Sequence, residues 1–141
     1  MMTRINTIDP SALTDQHLLA EYRELPRVVT LAAAWLERGG HGQLPEHYTL
    51  GPGHVRFFYD KLGWLRRRHA ALVAECQRRG FDVRFTDGLS VPSALAGDWL
   101  PTVDAVRLCM ARLRERLLAR DGFYRHFGAL VGAHFYNTEE A

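Results

Sequence analysis

From Thr14 to Gly40 apolar and polar residues recur at the helical period. Leu18, Tyr22, Leu25 and Val29 fall on one side, and Gln16, Ala20, Arg23 and Arg27 on the other, with Glu24 at the polar edge. Thr14 or Asp15 can cap this helix, and Gly39-Gly40 is a natural stop. Pro26 lies inside it, where a missing donor and a ring clash cost ~3 kcal/mol, so a kink is expected there. His41 to Pro52 reads as a Gly/Pro-broken loop. A second helix is predicted from Gly53-His54 to Gly80, because Val55, Phe58, Tyr59, Leu62, Leu65, Leu72, Val73 and Cys76 return on one stripe, with Gly63 weakening it midway. Its other side carries Arg66, Arg67, Arg68, Arg78 and Arg79, read as a solvated face in preference to a phosphate contact. Phe81 to Pro101 is irregular, with Asp87-Gly88 and Pro92 as turn signals. A third helix follows Pro101, with Val103, Val106, Met110, Leu113 and Leu117 three and four apart. No strand alternation or repeat stands out. The pattern predicts an all-α fold of three principal helices, with long irregular loops and an aromatic C-terminal segment.

The 141 residues are the length of one domain, expected to span the whole chain, 1–141. No apolar run nears the roughly 20 residues of a membrane span, and the N-terminus lacks the apolar stretch of a secretory signal. Cys76 and Cys109 stand alone on helices and read as small buried hydrophobes. These features fit a soluble protein of a reducing cytoplasm, and a monomer is expected. The net charge is only +2, but 17 of the 18 basic residues are arginines and only Lys61 is a lysine. Arginine's planar fork suits phosphate recognition, and GC-rich coding gives the same bias.

Several residues invite chemistry. Arg112 and Arg116 lie four apart on the third helix and can reach one ligand. Phe123-Tyr124-Arg125-His126-Phe127-Gly128, followed by His134, Phe135 and Tyr136, interleaves aromatics with cations. That suits stacking on unpaired bases, or equally a strap that completes a small core. The seven histidines show neither HExxH nor Cys/His ligand spacing, so no metal and no cofactor is expected. His17 and His54 are open as proton shuttles or hydrogen-bonded structural residues, the latter favoured for His54.

A spaced series then covers most of the chain. It runs through Thr3-Arg4-Ile5-Asn6, Asp15-Gln16-His17-Leu18 and Ala20-Glu21-Tyr22-Arg23-Glu24-Leu25-Pro26-Arg27-Val28. It resumes at Leu50-Gly51, Gly53-His54-Val55 and Phe57-Phe58-Tyr59-Asp60-Lys61-Leu62. Ala74-Glu75-Cys76, Arg79-Gly80-Phe81, Gly97-Asp98, Arg112-Leu113 and the aromatic tail ending at Gly128 complete it. In residues and order it resembles the phage endonuclease V family of pyrimidine-dimer DNA glycosylases with abasic-site lyase activity. The resemblance implies that the amine of Thr3, exposed by loss of the initiator methionine, attacks the anomeric carbon of the damaged nucleotide and forms an imine. It implies that Glu24 serves both base release and the β-elimination that cuts the strand. It assigns Arg4, Arg23, Arg27 and Arg112, helped by Gln16 and Arg116, to DNA phosphates and the lesion. The implied partner is double-stranded DNA carrying dimers or abasic sites, in the cytoplasm of a bacterial or phage-infected cell, with no metal.

These roles suit the residue types. An α-amine with a pKa of ~7.7–8.0 forms an imine at neutral pH far more readily than a lysine at ~10.4, so Lys61 is a poor rival. Without the resemblance, Glu24 reads as an exposed helical ion pair worth a few tenths of a kcal/mol. Two departures matter. The chain opens Met1-Met2-Thr3, and a methionine before bulky Met2 escapes trimming, so the reading requires a start at Met2 or an extra Met1. Phe123 stands where the family has tryptophan. Other readings are a silent module that binds distorted DNA and a small helical interaction protein with a solvated arginine surface.

Overall fold

The computed structural model describes residues 3–137. Its main elements are α1 (Asp15–Glu37), a one-turn α2 (His54–Phe57), α3 (Leu62–Arg78) and α4 (Val103–Ala119). Short 3-10 turns at Pro10–Ala12 and Ser93–Leu95 punctuate the connections. α1, α3 and α4 are the three principal helices of an all-α fold. Thr14 caps α1 by accepting from the His17 amide, and Thr102 caps α4 by accepting from the Ala105 amide, so each helix starts where a hydroxyl satisfies an orphan donor. α1 runs on through Pro26, which cannot donate to the carbonyl four residues back.

α1 packs along α3 through Leu18, Tyr22, Leu25 and Val28 on one side and Leu65, Leu72, Val73 and Cys76 on the other. α4 joins them through the extended N-terminal segment. Thr7 donates from its amide to Cys109 Sγ (3.3 Å) and from its hydroxyl to the Ala105 carbonyl (3.3 Å), while Asn6 donates to Glu21 of α1 (2.8 Å). Ile5, Asn6 and Thr7 are all buried.

The long helix expected from Gly53 to Gly80 is interrupted. Phe57, Phe58 and Tyr59 are all buried, and three successive side chains point around most of a helix's circumference, so no single stripe can bury them. The chain turns through Phe58 to Lys61 instead, and α3 begins afresh. Gly63 then lies in the first turn of α3, where a Cβ would come within 2.6 Å of the Ala96 carbonyl oxygen. The incoming 96–97 backbone supplies a cap: Trp64 donates to the Gly97 carbonyl (3.2 Å). An aromatic cluster of Tyr48, Phe57, Phe58, Trp64 and Trp99 fills the space beside this junction.

The solvated reading of the α3 arginines holds for Arg66 and Arg67 and fails for Arg68 and Arg79. Arg68 is buried and grips Glu21 with two nitrogens, Nε to Oε2 at 2.7 Å and Nη2 to Oε1 at 2.9 Å. Arg79, its side chain fully covered, bonds Glu75 and Asp15, each at 2.9 Å. Both sit on the buried stripe, Arg68 in the turn between Leu65 and Leu72 and Arg79 three residues past Cys76. A charge there persists only with an opposite charge and a full hydrogen-bond set.

The C-terminal segment holds a small ladder that no sequence alternation announced. β1 (Arg125–His126) pairs antiparallel with β2 (Ala129–Leu130) around Phe127-Gly128, both at positive φ. Asp15 fastens the tip by accepting from the Phe127 (3.1 Å) and Gly128 (2.9 Å) amides. Tyr124 and Tyr136 enter the core, as a strap requires, while Phe123 and Phe127 stay 39% and 52% exposed.

Candidate active site

The N-terminal segment is tied at each residue from Ile5 to Thr7, and Thr3, the first described residue, lies two positions before these anchors. The Ile5 amide donates to His54 Nε2 (2.9 Å) and its carbonyl accepts from the Tyr48 hydroxyl (3.0 Å). Held this way, Thr3 is buried against α1 and its hydroxyl donates to Glu24 Oε2 (3.3 Å). Two recesses meet at this contact. One, of about 380 Å³, is lined by Arg4, Asn6, His17, Glu21, Glu24, Arg112, Arg116 and Tyr124 among others. The other, of about 270 Å³, is lined by Thr3, Arg4, Arg27, Leu31, Gly51, His54, Val55 and Tyr59. Arg4 belongs to both. A further depression, about 600 Å³ beside Trp64 and Trp99, contains none of the expected site residues.

The larger of the two recesses at Thr3 and Glu24 has an excess of positive charge. Arg4 Nε and Nη1 and Arg112 Nε are buried with no hydrogen-bond partner among the described residues. Burial, then the neighbouring Arg112 and Arg116 guanidiniums, push the Arg4 pKa below its ordinary value. Arg112 has one long contact, 3.8 Å, to the exposed Glu115. Guanidiniums are charged at any working pH. Three of them around one cavity, with donors of Arg4 and Arg112 unsatisfied, form a seat that an anion such as a phosphate would relieve.

The acidic counterparts are unequal. Glu21 lines the same recess, but both its oxygens are taken by Arg68 and Asn6. Glu24, one turn further along α1, has among the described residues the single contact to Thr3. His17 stacks on Tyr124 (4.5 Å between centroids) and holds Thr14 Oγ1 and the Tyr136 hydroxyl at 2.9 Å from Nδ1. Burial, then Arg116, push its pKa down to about 4, so the ring is neutral near pH 7. Its Nε2 is buried with no partner among the described residues.

Of the residues expected from sequence, Thr3, Glu24, Arg4, Arg112 and Arg116 come together, and Arg27 stands at the rim of the Thr3 recess. Arg23 and Gln16 line neither recess. Arg23 is exposed and bonds the Leu19 carbonyl of its own helix, while Gln16 uses both ends of its amide on the C-terminal segment, donating to the Phe123 carbonyl (3.2 Å) and accepting from the Arg125 amide (3.0 Å). Lys61 is far from a free amine: it bonds Asp60 (2.8 Å) and the Phe57 carbonyl (3.0 Å) and lies on the Phe57 ring. Glu21 and Asn6 have no site role in the sequence reading, and Tyr124 belongs to the aromatic segment read as a stacking surface or a strap. A signal for Glu21 existed, since it falls on the apolar stripe between Leu18 and Leu25. Among the described residues no three His, Cys, Asp or Glu side chains converge as metal ligands. The Met1-Met2 question lies outside the described residues.

This arrangement, an acid beside the start of the chain within an arginine-lined recess, has a counterpart in known sequences. The family model described as pyrimidine dimer DNA glycosylase matches residues 2–87, more than half of the chain. The chain belongs to the pyrimidine dimer DNA glycosylase family. The resemblance to the phage endonuclease V group is thereby borne out. Membership carries the coarse function, a glycosylase acting on pyrimidine dimers in DNA. The matched span includes Thr3, Arg4, Glu24 and Arg27; α4, which brings Arg112 and Arg116, lies beyond it.

Proposed function

We propose that this glycosylase works through the α-amine of a mature Thr3, with Glu24 as the acid–base and electrostatic partner, and cleaves the strand at the abasic site it makes. The observation that carries this reading is the 3.3 Å contact between Thr3 and Glu24 at the mouth of a recess lined by three arginines, two of which, Arg4 and Arg112, have buried donors without a partner among the described residues. The unprotonated amine attacks C1′ of the damaged nucleotide. The N–C1′ bond forms as the glycosidic bond breaks, and the electron pair leaves with the pyrimidine, which takes up a proton. Glu24 offsets the positive charge that develops on the sugar. Loss of a proton from nitrogen and opening of the sugar ring give a protonated imine. Removal of a C2′ proton, in which Glu24 is suitably close to assist, expels the 3′ phosphate and cuts the strand. Water then releases the amine. Arg4, Arg112 and Arg116 hold the phosphates that flank the lesion, with Arg27 and Arg23 along the exposed side of α1. Gln16 contributes by setting the C-terminal segment against α1.

A damaged pair stacks and pairs poorly, so bending the duplex and extruding a nucleotide cost least there. Selectivity for damage then needs no base-edge readout.

The test uses protein whose mass shows a chain starting at Thr3. Dimer-containing and undamaged duplexes are incubated with chelator, and an abasic duplex is treated with borohydride. Cleavage of the dimer duplex alone, lost in Glu24→Gln, and a covalent adduct of the wild type with the abasic duplex are expected. Binding without an adduct would instead make the protein a silent reader of distorted DNA. Equal cleavage of both duplexes, or an unaffected Glu24→Gln, would remove the proposal.

A further inference from the structure

We infer that His54 is a positioning residue for the reaction, its Nε2 fixing the Ile5 amide and so setting where Thr3 meets Glu24; this rests on the terminal-amine reading above. The two ring nitrogens have opposite tasks. A backbone N–H can only donate, so Nε2 at 2.9 Å from the Ile5 nitrogen is an acceptor without a proton. A carbonyl can only accept, so Nδ1 at 2.8 Å from the Thr49 oxygen carries the hydrogen. The surroundings therefore define one neutral tautomer. The ring is 2% exposed, edge-on to Tyr48 and Phe58, and has no room to rotate away. Burial above all, and also the Arg4 charge, hold its pKa down to about 4, in agreement with the geometry.

What makes this more than core packing is the place it acts on. Ile5 is two residues from Thr3, and Tyr48 fixes the carbonyl of the same residue at 3.0 Å. The two bonds fix the peptides on either side of the Ile5 Cα, immediately before the segment reaches Glu24. His54 also lines the recess that contains Thr3, so the residue that holds the backbone borders the space where the amine must work. Displacement of a reacting group by about 1 Å costs on the order of 10²-fold in rate, whereas duplex affinity rests on arginines elsewhere.

Two substitutions separate the two bonds. His54→Gln places an acceptor oxygen close to the position of Nε2, and His54→Asn keeps a donor close to Nδ1 while dropping the Ile5 bond. Single-turnover borohydride trapping on an abasic duplex is measured for both, with duplex Kd and Tm in parallel. Trapping within about threefold of wild type is expected for His54→Gln, and at least about tenfold slower trapping for His54→Asn, with Kd unchanged in each. Equal rates in the two variants, or rates that follow Tm, would overturn the inference. If neither folds, Tyr48→Phe decides: it keeps the ring, removes the other anchor on Ile5, and is expected to slow trapping at unchanged Kd. Wild-type speed in Tyr48→Phe would then overturn it. Absence of trapping by wild type would strike the amine reading itself, and this inference with it.

Discussion

Glu21 and Glu24 lie one turn apart on the same helix and line the same recess, yet their surroundings are opposite. Glu21 is 1% exposed and saturated by Arg68 and Asn6, whereas Glu24 is half-buried and makes one contact among the described residues. The arginines divide the same way. Arg68 and Arg79 spend their donors inside the protein, while Arg4 and Arg112 keep donors unspent at the cavity. A saturated buried charge fixes geometry and offers little to a ligand. An unsatisfied one is costly in the free protein and gains most on binding.

The same substitution at both glutamates sharpens this contrast. Glu21→Gln leaves the buried Arg68 without a countercharge and is expected to cost about 3–5 kcal/mol, read by denaturant unfolding. A Glu21→Gln variant as stable as wild type would show that the pair does not hold the segment. Replacing both partners, as in Glu21→Gln with Arg68→Met, should recover much of the loss, because no lone charge remains. Glu24→Gln should stay within about 0.5 kcal/mol of wild type in stability while losing on the order of 10²-fold or more in cleavage rate.

The neutral histidines give a smaller effect. His17 and His54 have folded pKa values near 4 against an ordinary 6.5. The unfolded chain therefore binds more protons between those values. Stability is full above about pH 6.5 and declines as pH falls toward 4, by a few kcal/mol for the two together. Tm against pH checks this. A profile flat from pH 7 to pH 4.5 would contradict it.

The smallest change concerns the cationic seat. Arg116→Gln removes a like charge from beside Arg4 and should raise the stability of the free protein by a few tenths of a kcal/mol. It should weaken DNA binding and lower the slope of log K against log salt by about 1. An unchanged slope would place Arg116 outside the phosphate contacts.

The principal helices were legible because α1 and α4 carry their own caps and one-sided apolar stripes. The break between α2 and α3 was not. Phe57, Phe58 and Tyr59 are all apolar, and periodicity cannot say that three neighbours will all be buried until the 95–99 segment arrives to cover the junction. Arg68 was misread for a related reason. Its stripe position was visible, but a charge on a stripe becomes credible as core only once an opposite charge, Glu21, is known to face it from another helix.

Local order along the chain, then, determined the starts of α1 and α4, the all-α class and, through the spaced family residues, the chemical types required at the site. These depend on contacts within a few residues, where sequence spacing and spatial spacing are the same thing. Tertiary structure alone decided which glutamate is saturated and which is available, which arginines stay unpaired, and that His54 reaches 49 residues back to hold Ile5. Such pairings join segments far apart in the chain, and their energies depend on burial and on every neighbour at once.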